Sequence, residues 1–142
     1  MEVSQVRRRV QAALTAGRER SQQRRQIVAD AETSYERFLT DVATPIARQV
    51  ANVLKAENYA FTVSTPGRGV RLAAERGRDD YLDITLNTNA DPPAVVGHLR
   101  YTRGSRTIDE ERPVKPGAAP DQISEEDVLE FIVRALEPWI ER

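Results

Sequence analysis

Six side chains in the middle third of the sequence could between them hold an anion or move a proton: Arg71, Tyr81, Asp83, Thr85, His98 and Arg100. A histidine near a carboxylate is the usual pairing for acid–base work near neutral pH, and two guanidinium groups would supply an anion site. Arg71, Asp83, His98 and Arg100 are accordingly the candidate ligand-binding residues, and through them a small-ligand or enzymatic site is one alternative function. The same mixture is also what the watered face of an antiparallel sheet carries. The sequence favours that reading, with ion pairs running across strands, and no residue is assigned a catalytic role.

Other chemistries fail on residue type or spacing. His98 is the only histidine and cysteine is absent, so zinc and iron–sulfur centres lack a set of ligands. Asn87, Asn89 and Asp91 have the spacing that opens a calcium loop, but Pro92 replaces its glycine and His98 its closing glutamate. An Asx-turned loop is the expectation there. Gly67 and Gly69 begin a phosphate-loop pattern, but Leu72 stands at the third glycine and a strand follows in place of a helix. A serine or threonine nucleophile would have to share the single imidazole. No cofactor and no metal are implied, and the balance tips away from an enzyme.

A second alternative is electrostatic. Arg7, Arg8, Arg9, Arg18, Arg20, Arg24 and Arg25 lie in a helical stretch, and a basic helix is a fair footprint for nucleic acid. These arginines encircle the helix, however, no aromatic residue interleaves before Tyr35, and the isoelectric point is near 5.9. A solvated or association-forming helix is favoured over a nucleic-acid binder.

The elements that position these residues follow from periodicity. Val3, Val6, Val10, Ala13 and Gly17 recur at steps of three and four, and the same phase resumes at Ile27, Ala31, Tyr35, Phe38 and Val42. One helix over about 3–42 would be roughly 60 Å long, whereas a compact body of this length is only about 35–40 Å across. Residues 1–26 are therefore expected as a helical arm that either projects or folds back through a break within 17–25. Thr44-Pro45 is a cap and first-turn pair, predicting a second helix from Pro45 to about Glu57 that buries Ile46, Val50, Val53 and Leu54; a single helix kinked at the proline is the alternative. Asn58 is its expected stop.

Residues 59–112 read as a meander of about five antiparallel strands. Phe61 and Val63, then Val70, Leu72 and Ala74, then Leu82, Ile84 and Leu86, then Leu99 and Tyr101 alternate with polar neighbours. Turns are expected at Thr65–Gly69, at Arg76-Gly77-Arg78, and at Gly104-Ser105, a two-residue hairpin. That last register sets Tyr101 opposite Ile108 and Arg100 opposite Asp109, the latter as an ion pair. An extended connection over 113–121 leads to a C-terminal helix, 124–141, capped by Ser124 with Asp127. Its apolar stripe is Val128, Leu129, Ile132, Val133, Leu136, Trp139 and Ile140, expected to lie on the sheet.

The fold class is α+β, and residues 1–142 are read as one domain, since 142 residues with 39% apolar and 30% charged side chains suit a single globular core. Nothing approaches a membrane span, and the start lacks a signal-peptide core, so a cytoplasmic location and no membrane association are expected. The net charge of −1 hides an asymmetry. Residues 1–29 hold seven arginines against two acids, a balance of +5, and residues 121–142 hold seven acids against two arginines, a balance of −5. The leading expectation is a non-catalytic interaction or assembly module, homodimeric through the N-terminal helix, with a homo-oligomer or another protein as partner.

Overall fold

The polar stretch at 18–26 does not interrupt the first helix. The computed structural model describes residues 1–76 and 79–141, and α1 runs unbroken over Val3–Phe38. Arginine, glutamine and glutamate are good helix formers, so a run without apolar residues weakens packing and not the helix itself. A wide π turn, Leu39–Ala43, passes directly into α2, Thr44–Ala56, with the backbone helical at Phe38, Ala43 and Thr44. The expected second helix is thus present, joined to α1 through helical backbone rather than across a capped break, and Thr44 caps nothing with its side chain. Pro45 has no N–H to donate back one turn and its ring crowds the preceding carbonyls. The π turn absorbs this: the Thr44 N–H reaches the Leu39 carbonyl, one residue further than in an α-helix. Asn58, in the left-handed region at φ 68°, ends α2, and the Tyr59 N–H closes back onto the Leu54 carbonyl at 2.7 Å.

Five strands follow in sequence order as one antiparallel sheet: β1 Phe61–Ser64, β2 Val70–Ala74, β3 Tyr81–Asn87, β4 Ala94–Arg103 and β5 Arg106–Pro113. The expected turn at Arg76-Gly77-Arg78 falls on Gly77 and Arg78, which lie outside the described residues. Between β4 and β5, Arg103 pairs with Arg106 across a two-residue loop in which Gly104 has φ 64°, and Tyr101 faces Ile108 as the register requires. A 3-10 turn (Pro120–Gln122), α3 (Glu125–Ala135) and the short α4 (Glu137–Ile140) complete the chain.

One sheet face is apolar. Val70, Leu72, Leu82, Ile84, Val95 and Leu99 are each at most 2% exposed, and α2 and α3 cover them. Ala47 of α2 and Ile132 of α3 converge on Val70, Leu72, Leu82 and Ile84. α3 comes so close to β4 that a Cβ on Gly97 would overlap the Phe131 ring. Trp139 stands edge-on to Phe61 and Tyr101, with ring centroids 5.8 and 5.7 Å away.

Two stripes are narrower than the sequence suggests. On α2 the buried residues are Ile46, Ala47 and Ala51, while Val53 is 63% exposed. The small alanines allow the close approach, and that rotates Val53 outward. On the C-terminal helices Val128, Phe131, Ile132, Ala135, Leu136 and Trp139 are buried, but Leu129, Val133 and Ile140 are not. The helix also breaks at Leu136, because Pro138 cannot supply the next backbone donor. Ser124 caps α3 as expected, accepting from the Asp127 N–H at 3.2 Å while Asp127 accepts from the Ser124 N–H at 2.9 Å.

Candidate functional site

The uncovered face of the sheet collects the polar candidates, because every second residue of a strand points the same way and the register lines those residues up. Arg71 pairs with Asp83, Asp83 with His98, and Arg100 with both Tyr81 and Asp109. Arg71 forks onto Asp83, Nε to Oδ1 at 2.6 Å and Nη2 to Oδ2 at 2.8 Å. Its guanidinium lies 4.0 Å from the centre of the Tyr81 ring, and that ring meets His98 edge-on at 5.7 Å. His98 Nε2 sits 3.3 Å from Asp109 Oδ1.

Within this row Arg71, Asp83 and Tyr81 already engage one another. The Asp83 hydrogen bonds push the Arg71 pKa above its usual value, which holds it cationic at every working pH. Its fork is engaged by Asp83 and one face by Tyr81, leaving little to offer an anion. His98 turns to the half-exposed Asp109 and not to Asp83, so the expected Arg100–Asp109 ion pair does not form. Directly opposed residues are not always the ones that bond; here the imidazole reaches the diagonal carboxylate first. The four candidates are therefore brought onto one face, where Arg71 and Asp83 join and His98 and Arg100 remain apart from them.

The described cavities lie elsewhere. One of about 300 Å3 sits between α1, the β1–β2 turn and the end of β3, against Glu32, Tyr35, Arg68, Leu86 and Thr88. Tyr35 forms its floor. Its hydroxyl is 2.7 Å from the Arg68 carbonyl oxygen and 3.2 Å from that of Ile84, and its single proton serves one at a time. Burial, with Asp83 nearby, raises the Tyr35 pKa well above the ordinary phenol value. Glu32 is already bound to Arg68 at 2.9 Å. Among the described residues no three of His, Asp and Glu are grouped so as to hold a metal ion, and no helix is long and apolar enough to cross a membrane.

The arginines of α1 stay distributed. Arg7, Arg8, Arg9, Arg18, Arg20 and Arg25 are exposed around the helix, and successive residues turn by about 100°. Arg24 alone reaches the body, donating to the Thr88 carbonyl at 3.4 Å and lying 3.9 Å from Asp91. Beyond it toward the N-terminus the helix runs about another 30 Å at 1.5 Å per residue. On this arm Val3, Val6, Val10 and Leu14 are 76, 44, 53 and 52% exposed.

Two buried polar residues escaped the sequence reading. Asp80, 2% exposed, accepts from the Trp139 indole at 3.1 Å, from the Thr102 N–H at 3.1 Å and from the Thr102 hydroxyl at 3.2 Å. The usable signal was Trp139, since a buried indole N–H requires an acceptor. Tyr35 posed the same requirement on the core side of α1. Both are structural pins: Asp80 ties the last helix to β4, and Tyr35 ties α1 to the sheet beneath the cavity it lines.

Comparison with protein-family models, with curated proteins and with solved structures gives no match.

Proposed function

We propose that the protein is a non-catalytic assembly module that forms a homodimer through the arm of α1. One observation supports the reading above others: the exposed stripe of Val3, Val6, Val10 and Leu14 is in phase with Tyr35 and Phe38, which are 2 and 3% exposed within the core. The core-facing side of the helix thus continues past the end of the sheet with nothing beneath it. A solvent-only helix has no use for four branched apolar residues in register. Covering each gains roughly 1–2 kcal/mol, and a symmetric pair of arms covers two stripes. Association itself costs about 4–15 kcal/mol, so the expected product is a dimer that dissociates on dilution.

The polar sheet face adds to this reading by what it already holds: the Arg71 fork is taken by Asp83, and His98 lies against Asp109. Sedimentation of the chain and of a Val6→Asp, Val10→Asp variant tests the proposal. A concentration-dependent dimer that the variant loses is the expected pattern; equal masses for the two chains at every concentration would remove the arm from any role in assembly.

A further inference from the structure

If an arm seeks a partner surface, the C-terminal helices carry one that fits. α3 and α4 turn Leu129, Val133 and Ile140 outward, at 44, 52 and 50% exposure. Leu129 and Val133 are one turn apart on α3, and Ile140 is the last residue of α4, after the break at Leu136. Glu126 and Glu130 lie on one border of the α3 pair, and Glu137 opens α4. Glu126 and Glu137 make no ion pair among the described residues, and Glu130 holds only the exposed Arg134, at 2.7 Å. Such an exposed pair is readily exchanged for another.

The arm is its counterpart in three respects. Its stripe is apolar, as the α3 line is. Arg7 and Arg18 border that stripe on one side and Arg9 and Arg20 on the other, each within about 100° of its centre line, so a basic rim would meet an acidic one. Its length is comparable, since Val3 to Leu14 spans about 17 Å of helix and Leu129 to Ile140 covers the same number of residues in two helical pieces. The charges at the two ends of the sequence, +5 over 1–29 and −5 over 121–142, express the same complementarity. Within one chain both surfaces remain exposed, so they do not cover each other.

We infer that in the dimer each arm lies on the C-terminal helices of the other copy, its apolar stripe against Leu129, Val133 and Ile140 and its bordering arginines beside Glu126, Glu130 and Glu137. The exchange is reciprocal, which closes the assembly about a two-fold axis and leaves no free arm to propagate a chain. Charge then selects the partner face and orientation, while the apolar seam holds it. This inference rests on the dimer proposed above and specifies where its arm docks.

The chain has no cysteine, so single thiols report the contact directly. Chains carrying Val6→Cys and Val133→Cys are mixed under mild oxidation, with each also treated alone. A disulfide-linked dimer in the mixture, and little in either chain alone, is expected. Linkage of Val6→Cys chains only to themselves would show arms paired with arms, overturning this docking while leaving the dimer standing. A single-chain mass by light scattering would overturn both.

Charge reversal gives an independent reading on exposed side chains. Arg7→Glu, Arg9→Glu, Arg18→Glu in one chain and Glu126→Arg, Glu130→Arg, Glu137→Arg in another should each weaken self-association at least tenfold. Mixing the two reversed chains should restore a dimer, because both contacts are then complementary. A mixture no tighter than either chain alone overturns the docking.

Discussion

The Trp139 indole donates to the buried carboxylate of Asp80 at 3.1 Å, joining the last helix to the residue just before β3 across 59 positions of sequence. The same carboxylate accepts both the N–H and the hydroxyl of Thr102, so it ties β4 in as well. Asp80→Ala should lower stability in urea by about 2–3 kcal/mol, since it removes the acceptor of a buried indole and of a half-buried amide. Trp139→Phe should cost less than Trp139→Ala, and the double variant with Asp80→Ala should cost less than the two single losses together, because they share one bond. Additive losses would show that the bond contributes nothing.

Gly97→Ala should destabilise by about 1–3 kcal/mol, the cost of forcing volume into a packed contact with Phe131. Trimming the ring in a Gly97→Ala, Phe131→Leu chain should recover part of that loss. Unchanged stability in the single variant would mean that α3 stands further from β4 than the structure has it.

The elevated Tyr35 pKa makes a sign-definite statement about alkaline stability. A phenol that ionises less readily folded than unfolded stabilises the protein fully below its ordinary pKa near 10, and that stabilisation fades as pH climbs through the folded value. Stability should therefore fall more steeply above about pH 10 in the natural chain than in Tyr35→Phe. Parallel curves for the two chains would contradict the buried, hydrogen-bonded placement. Asp127 works in the opposite direction: hydrogen bonding to Ser124, with help from Lys115, holds its pKa below the usual carboxylate range. Ser124→Ala keeps the backbone N–H from which Asp127 accepts and removes only the hydroxyl, so it should raise the Asp127 midpoint seen by NMR slightly while costing about 1 kcal/mol as a lost cap.

Much of this fold was legible in the sequence because period-two alternation and turn chemistry are local signals. The strands, the Gly104-Ser105 hairpin, the inward Leu72, Ile84 and Leu99, and the Ser124 cap all follow from a few neighbouring residues. What escaped depends on distant geometry. How deeply α2 settles on the sheet decides that Ala47 and Ala51 face inward and Val53 outward. The apolar stripe of α3 is wider than one sheet face can cover, and nothing local marks Leu129 and Val133 as the surplus. Pro45 signals a disturbance but not its form, since a break and a π turn both answer a missing donor. The polar candidates were placed on the right face, yet which acid His98 meets is a matter of side-chain reach, which alternation does not encode.

The polar face should behave as a surface that stabilises itself. His98→Ala should shift stability by less than about 0.5 kcal/mol, as exposed substitutions generally do. Arg71→Lys should cost more, because an ammonium cannot reproduce the fork onto Asp83 or the stacking on Tyr81. A large loss at His98 with none at Arg71 would reverse this ranking.

Arginines spread around a helix do not make a track for phosphates. Fluorescence anisotropy with random duplex and single-stranded probes should show no binding that weakens steeply with added salt. A steep salt slope that disappears on removing Arg7, Arg8 and Arg9 would revive the nucleic-acid alternative.

Everything about assembly turns on whether the bare side of α1 finds cover. Multi-angle light scattering of the unmodified chain, across a micromolar dilution series, asks this without any substitution. The expected result is a mass that rises from the single-chain 16.0 kDa toward twice that value as concentration increases. A mass that stays at one chain throughout would contradict it.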